Sequence, residues 1–242
     1  MSRDLLRPTI LALGLIIGGA FVGSGFAKAR SADRFVTVKG ISEREVKADL
    51  AIWPIRLVAA DDDLTRAHAQ LEKSVAQVRQ FLQAQNIDTT QIALQDFSVT
   101  DAEANQYGGG NRAPRRYIIQ QTVVVRSVKP DLVLGASQKV AELVSAGVVL
   151  SSGEQYGNGG PTFIFSGLNA LKPTMIGEAT ARARESAEQF ARDSHSEVGG
   201  IRQASQGVFE ILPRDQAQGI SEASQIMKTV RVVSTIDYFL TH

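Results

Sequence analysis

An uncharged run of 18 residues, Thr9 to Phe26, constrains this 242-residue chain more than any other feature. A helix of that length spans roughly 27 Å, close to the hydrocarbon thickness of a bilayer. We therefore expect the run to cross or enter a membrane and the rest of the chain to lie outside the cytoplasm. Both flanks are basic, so charge alone does not decide the orientation. The flanking basic residues are Arg3, Arg7, Lys28, Arg30 and Arg34.

Two fates are open for this run. Small residues at Gly25 and Ala27, or at Ala27 and Ala29, fit the cleavage site of a secretory leader. Its glycines instead favour a retained anchor, because two G-x-x-x-G pairs let helices approach closely in lipid. The four anchor glycines are Gly14, Gly18, Gly19 and Gly23. We predict a single-pass inner-membrane anchor and linker over 1–33 and a periplasmic body over 34–242; the alternative is a cleaved leader and a soluble periplasmic body.

Composition narrows the classes of function. The chain is 43% hydrophobic and 21% charged, enough apolar material for one large or two small domains. Its net charge is only +1, so no strong field would attract nucleic acid, and we expect no nucleic-acid partner. It has no cysteine, which excludes disulfides, thiol nucleophiles and sulfur-ligated metals.

Periodicity in the body predicts strands and helices in mixed order. Alternating apolar residues predict strands over 46–60, 117–125 and 230–240, and Phe35 to Val38 opens another strand that Gly40 ends or bulges. Apolar residues at helical spacing predict helices over about 64–85, 130–147 and 173–196. We predict an α+β fold after the N-terminal hydrophobic helix, with long antiparallel strands covered by about three helices.

Four aromatic and proline residues are candidate interface positions. Pro54 cannot donate to a β-ladder, so it should lie at a sheet edge or a bulge. Trp53 should anchor a core or an interface. Tyr107 and Tyr156 lie in two glycine-rich loops suited to contacts with partners.

Residues that could carry chemistry have simpler structural roles. The acidic run Asp61 to Asp63 should cap the following helix, since a calcium loop needs further oxygen ligands. The glycines at 108–110 lack the G-K-[ST] of a phosphate loop. His68, His195 and His242 are far apart in sequence, and His195 should interact with a helix C-terminus. We predict no catalytic residues, no metal and no cofactor, and therefore no enzyme.

The order of several short segments resembles the SIMPL domain family of bacterial envelope proteins. The segments are VTVKG at 36–40, EVKADLA at 45–51, NI at 86–87, the alternating strand from Tyr117 to Val125, FIFSGL at 163–168, and VGGI at 198–201 after an Ala/Arg-rich helix. Ala48 departs from the family, which usually has proline there. The resemblance covers Arg34 to Leu240.

This resemblance implies a function without supplying a catalytic site. Members are exported, periplasmic or membrane-anchored, are linked to tolerance of oxidative and envelope stress, and in some cases form large hollow oligomers. We therefore expect an anchored, non-enzymatic homo-oligomer that supports stress tolerance. The alternative is a soluble periplasmic module that binds a small molecule or a protein through its loops.

Overall fold

The computed structural model describes Gly14 and residues 16–23, 34–104, 115–151 and 159–241. Within these residues eight strands and five helices confirm the predicted α+β class. The strands are β1 (Phe35–Lys47), β2 (Leu50–Asp61), β3 (Ile92–Asp101), β4 (Tyr117–Ser127), β5 (Thr162–Ile164), β6 (Glu197–Gln206), β7 (Glu210–Pro213) and β8 (Met227–Thr241). The helices are α1 (16–23), α2 (Leu64–Ala84), α3 (Pro130–Gln138), α4 (Ala141–Ser145) and α5 (Leu168–Asp193).

The chain forms two compact units, each built from separate stretches of sequence. Unit 1 comprises Met1–Glu43, Leu171–Glu210 and Arg231–His242. Unit 2 comprises Arg44–Ala170 and Ile211–Val230.

Unit 2 contains a sheet of order β3-β4-β2-β5 with helix α2 on one face. Strands β2 and β4 pair antiparallel in unbroken register from Ala51 with Ser127 to Asp61 with Tyr117. The odd-numbered residues of β2 from Ala51 to Ala59 are buried in the core, and Trp53 among them is only 2% exposed. Of the two sequence-based alternatives for Trp53, the core position is therefore observed. The α2 residues that join this core are Ala67, Leu71, Val75, Val78, Phe81 and Leu82.

Pro54 lies at a gap in the pairing of β2, as its missing N–H requires. Strand β5 pairs only with residues 50–52, and the next bridge on that edge joins Leu57 to Leu150. Val58 N donates to Val149 O on the same edge. Because backbone groups alternate in direction along a strand, Pro54 directs its nitrogen to this edge also, away from β4. The predicted edge strand or bulge is therefore wrong, because β2 is an inner strand in unbroken register with β4; Pro54 is accommodated because its nitrogen faces a stretch of the other edge that is unpaired within the described residues.

Unit 1 contains a sheet in which β8 lies between β1 and β6. Helix α5 contributes the small-residue stripe that its sequence indicated: Ala179, Ala183, Ala187 and Ala191. All four residues are buried, and Ala183 and Ala187 form a cluster with Val38, Ile236 and Tyr238. Small side chains let the helix lie close to the sheet.

Several predicted boundaries need correction. Gly40 does not end the first strand: β1 continues to Lys47, and Gly40 lies within it against the backbone of Ala179. The chain breaks instead at Ala48 and Asp49, so the predicted strand 46–60 is the end of β1 followed by β2. Tertiary pairing explains both differences, because β1 needs a glycine to pass α5 and remains paired beyond it.

Two helix predictions also differ from the structure. The predicted helix 130–147 is divided into α3 and α4 at Lys139 and Val140. Helix α5 begins at Leu168 rather than near Pro173, which lies inside it. Because proline is common in the first turn of a helix, a start near Pro173 is expected from the sequence, but α5 begins earlier.

Candidate functional site

A groove of about 360 Å³ lies over strands β2, β3 and β4 of unit 2. It is lined by Arg56, Asp96, Phe97, Ser98, Gln120, Gln121 and Thr122. We call these residues the polar groove. Its size falls in the range of sites for small molecules.

Strand register explains how the groove is assembled. Arg56 pairs with Thr122, and Thr122 pairs in turn with Gln95 of β3. Gln120 lies opposite Ser98 in the next row of the same face. Since even-numbered residues of β2 direct their backbone groups away from β4, Arg56 and Thr122 form a non-hydrogen-bonded pair, whose side chains are closest. Thr122 is buried, so the floor of the groove is polar.

A β-bulge opens the groove on the β3 side. The register of β3 against β4 shifts between Gln95 and Ser98, which leaves Asp96 and Phe97 outside the regular ladder. Asp96 has a left-handed backbone with φ of 53°. Aspartate tolerates this conformation better than most side chains, and bulges of this kind redirect side chains near binding sites.

The rows beside the polar groove are largely apolar. On one side Pro54 pairs with Val124, and on the other Ala60 pairs with Ile118. Charged and amide side chains therefore lie between two apolar rows of this sheet face.

Strand β3 is the outer strand of this sheet, and eight of its ten residues are exposed. Three of these residues are large and apolar: Leu94, Phe97 and Val99. Phe97 is 53% exposed, and its ring meets that of His68 edge to face at 6.4 Å. Within the described residues, β3 has β4 as its only strand neighbour.

The acidic run at 61–63 caps a helix, as the sequence predicted. Its carboxylates also pair with arginines. Asp63 is the N-cap of α2, and its carboxylate accepts a hydrogen bond from Arg66 N at 3.0 Å. The Arg66 side chain binds Asp61 at 2.7 Å, and this hydrogen bond is the main reason that the pKa of Asp61 falls to about 2. In the part of the chain that the structure describes, no group of acidic and histidine side chains could hold a metal ion.

A second set of ion pairs joins the ends of β2, β3 and β4. Asp62 accepts hydrogen bonds from the Arg115 side chain at 2.8 Å and from Arg116 N at 3.1 Å, and these two bonds lower its pKa. The Arg116 guanidinium pairs with Asp101 at 3.1 Å and with Glu103 at 3.3 Å. Its hydrogen bond holds the pKa of Asp101 below the usual range. These pairs bind both ends of the connection between β3 and β4.

The histidines have local structural settings. His68 lies on the exposed side of α2, 4.0 Å from Glu72. His195 occupies the left-handed position after α5, with φ of 55°. His242 lies outside the described residues.

One buried charge was not anticipated from the sequence. Lys228 is fully buried, and its ammonium donates to the carbonyl of Glu222 at 2.7 Å and pairs with the Glu222 carboxylate. The sequence did contain a signal, because Lys228 is in phase with the buried Val230 and Val232 of β8. The sequence also indicated the position of Arg56. It lies between the buried Ile55 and Leu57, so its side chain is on the face of the sheet opposite to the core.

The remaining predicted site residues fall partly outside the described chain. Tyr107 and Tyr156 lie outside it. Residues 9–13, 15 and 24–26 of the uncharged run also lie outside it. None of the described helices has the length and apolar character needed to span a bilayer. No described atom lies within 4 Å of the Cβ position of Gly14, Gly18, Gly19 or Gly23.

Comparison with known proteins agrees with the resemblance seen in the sequence. Residues 36–236 match the model of the SIMPL family, which is described as a protein of unknown function (DUF541). No curated protein matches the chain. The match runs from β1 into β8 and so spans both compact units. The chain therefore belongs to the SIMPL family.

Proposed function

We propose that this chain is a non-enzymatic envelope protein whose exported body assembles with further copies of itself. The single observation that carries the proposal is the exposure of β3, an outer strand of ten residues with eight exposed. An unpaired strand edge presents a row of backbone donors and acceptors that another chain can continue.

The composition of β3 supports pairing with a second copy. Natural proteins protect an exposed edge with lysine, proline or very short strands, and β3 has neither lysine nor proline. Its bulge at Asp96 is the one such device present in the strand. Leu94 and Val99 lie one on each side of the bulge, and both pair with core-facing residues of β4, Val123 and Ile119. A copy that covered them would extend the existing core rather than create a new one.

We further propose that Thr9 to Phe26 retains the assembly in the inner membrane, with the body in the periplasm. Support comes from the length of the uncharged run and from its two G-x-x-x-G pairs. Tolerance of envelope or oxidative stress would then follow from assembly at the membrane, without turnover of an oxidant.

The mass of the native particle tests the assembly. We expect particles extracted in mild detergent to have the mass of a homo-oligomer and to yield an N-terminal peptide near Met1. Val99→Lys should reduce the mass, because lysine on an edge opposes strand pairing. Val128→Lys is the matched control, since Val128 is 70% exposed and lies outside the strands of the same unit. A wild-type monomer, or an unchanged mass for Val99→Lys, would refute the β3 assembly.

The same sample separates an anchor from a leader. A peptide beginning near Lys28 or Arg30 would show that the run is cleaved and that the body is released.

The proposal that the protein is not an enzyme needs a separate assay, the consumption of hydrogen peroxide by purified protein of known metal content. Sustained turnover of peroxide would contradict that proposal.

A second candidate function is a soluble periplasmic binding module. The polar groove favours it, because charged, hydroxyl and amide residues line it on paired strands. Assembly and binding are compatible, since a second copy on the outer edge of β3 need not cover the sheet face that carries Arg56.

A further inference from the structure

One end of the sheet in unit 1 lies next to the segment that follows the uncharged run. Leu240 N donates to the carbonyl of Arg34 at 2.9 Å, and Leu240 also pairs with Val198 of β6. The start of β1, the end of β8 and the start of β6 therefore lie side by side. We call the end of unit 1 that carries Arg34, Val198 and Leu240 the linker end.

Helix α5 runs towards the linker end. Gly40 of β1 lies against the backbone of Ala179. Nearer the start of β1, Val38 belongs to a buried cluster with Ala187. The helix thus approaches its C-terminus as β1 is followed back to its first residue. Phe190, in the last turn of α5, therefore lies towards the linker end.

Two large aromatic rings are exposed at the linker end. Phe35 is 42% exposed and Phe190 is 58% exposed. The Arg202 guanidinium stacks on the Phe35 ring, 4.0 Å from its centre, and so places a positive charge beside it. Apolar rings accompanied by basic side chains are typical of surfaces that enter the boundary between lipid headgroups and acyl chains.

The chain before β1 limits how far the linker end can lie from a bilayer. Only residues 27–34 separate the uncharged run from Phe35. Even fully extended, the chain from Phe26 to Phe35 reaches no more than roughly 30 Å. An anchor in the bilayer thus keeps both rings within reach of the lipid headgroups.

The charge of the same segment favours an anionic surface. Residues 27–34 include three basic residues and one acidic residue. Basic residues close to a bilayer attract anionic headgroups. The ends of α5 and β6 add acidic side chains at Asp193 and Glu197. The electrostatic attraction is therefore expected from the segment, and the apolar contact from the two rings.

We propose that the linker end of unit 1 lies in the headgroup layer of a bilayer that contains anionic lipid, with Phe35 and Phe190 reaching the upper acyl chains. This contact rests on the proposed retention of the anchor. It also goes beyond that proposal, because an anchor alone requires no contact between the folded body and the lipid.

Quenching by brominated lipid tests the contact. The full chain is reconstituted in vesicles of phosphatidylglycerol and phosphatidylcholine, with bromine on the upper acyl carbons of the phosphatidylcholine. Trp53, the only tryptophan, gives the background emission, and Phe35→Trp and Phe190→Trp each add one reporter. Interfacial side chains reach about 5–10 Å into the headgroup and acyl boundary, so we expect brominated lipid to quench at least about half of the emission that each reporter adds.

Val208→Trp is the matched control. Val208 is 79% exposed and follows β6 at the opposite end of the same sheet, where Gly207 N donates to Val233 O. The distance along β8 from Val233 to Leu240 is roughly 23 Å. The emission that Val208→Trp adds should therefore not be quenched.

The dependence on charge is tested in two ways. Replacing phosphatidylglycerol by phosphatidylcholine should reduce the quenching of Phe35→Trp at least about twofold. Lys28→Gln combined with Arg30→Gln should have the same effect in vesicles that contain phosphatidylglycerol. Quenching that changes in neither case would overturn the choice of an anionic surface.

Extraction of the same vesicles with alkaline carbonate separates this contact from the anchor. Release of the chain would refute the anchor and the contact together. A retained chain in which Phe35→Trp and Phe190→Trp are quenched no more than Val208→Trp would overturn the contact and leave the anchor standing.

Discussion

Gly40 sets how closely strand β1 can approach helix α5. A Cβ on this residue would lie 2.5 Å from the backbone nitrogen of Ala183 and would overlap the carbonyl of Ala179. Real Cβ atoms do not come so close to backbone, so the strand and the helix would have to separate. The close approach in unit 1 therefore depends on the absence of one methyl group.

We expect Gly40→Ala to lower the free energy of unfolding by about 3 kcal/mol, the upper part of the range for an overfilled interior. Urea unfolding followed by circular dichroism measures the change. Gly200→Ala is the control, since Gly200 is also in a strand of unit 1 and no described atom lies within 4 Å of its Cβ position. Equal effects of the two substitutions would show that the separation of β1 and α5 is not fixed by Gly40.

Asp61 is the residue whose ionisation most directly affects the end of β2. Its pKa falls from 3.8 to about 2, first through the hydrogen bond from Arg66 and then through that from Asp63 N. A carboxylate with a lowered folded-state pKa adds stability above pH 4 or so, and this contribution is lost as the pH falls towards 2.

Asp61→Asn should therefore lower Tm at pH 7. The difference in Tm between the two proteins should shrink as the pH falls from 3.8 towards about 2, the unfolded and folded pKa values, and should disappear only below the folded pKa. Glu185→Gln, which removes a carboxylate on the exposed side of α5, is the control for the loss of one surface charge. A difference that is constant with pH would contradict the ion pair with Arg66.

At the scale of elements, three helices end in the same way. Asn86, Gly147 and His195 each have positive φ directly after a helix. In each case the next residue donates its N–H to a carbonyl five positions back, as Ile87 N does to Leu82 O at 3.0 Å. This is the Schellman arrangement, in which a left-handed residue lets the last carbonyls find donors.

His195 is the least suited of the three residues to that conformation. We expect His195→Gly to raise the free energy of unfolding by about 1 kcal/mol, because glycine adopts positive φ without steric cost. His195→Ala should give no gain, since alanine keeps the strain and also removes the imidazole. If both substitutions destabilise the protein equally, the imidazole itself contributes and the backbone interpretation is wrong.

The sequence predicted those elements whose signals are local. Asp63 and Asn86 mark the two ends of α2, and both act as their residue types suggest. The polar groove could not be predicted in the same way, because Arg56 and Thr122 become neighbours only through strand pairing across 66 positions of sequence. The bulge at Asp96 has no local signal either, since it depends on how β3 fits β4.

At the scale of the whole molecule, each compact unit has its own buried core. Trp53 is the only tryptophan and lies in the core of unit 2. Its fluorescence therefore reports on that unit alone.

A chain that stops after Val230 should lose the fold of unit 1 and keep that of unit 2. It lacks Arg231–His242, the portion of β8 that lies in unit 1, and retains every segment of unit 2. We expect rapid proteolysis within β6 and α5, while Trp53 keeps the emission of a buried indole. A chain lacking only Thr241 and His242 serves as the control. A red shift of Trp53 emission in the shorter chain would show that the two units fold only together.

The position of β8 in its sheet also determines when the strands of that sheet can pair during biosynthesis. Among the described strands β1 is synthesised first and β8 last, yet β8 is the strand that lies between β1 and β6. Thr37 and Asp237, which share a hydrogen bond of 2.7 Å, are 200 residues apart. Until β8 has been synthesised, β1 and β6 lack the strand that pairs with both of them. The edge of β1 is therefore open to pairing with other chains during the synthesis of the whole segment that separates it from β8.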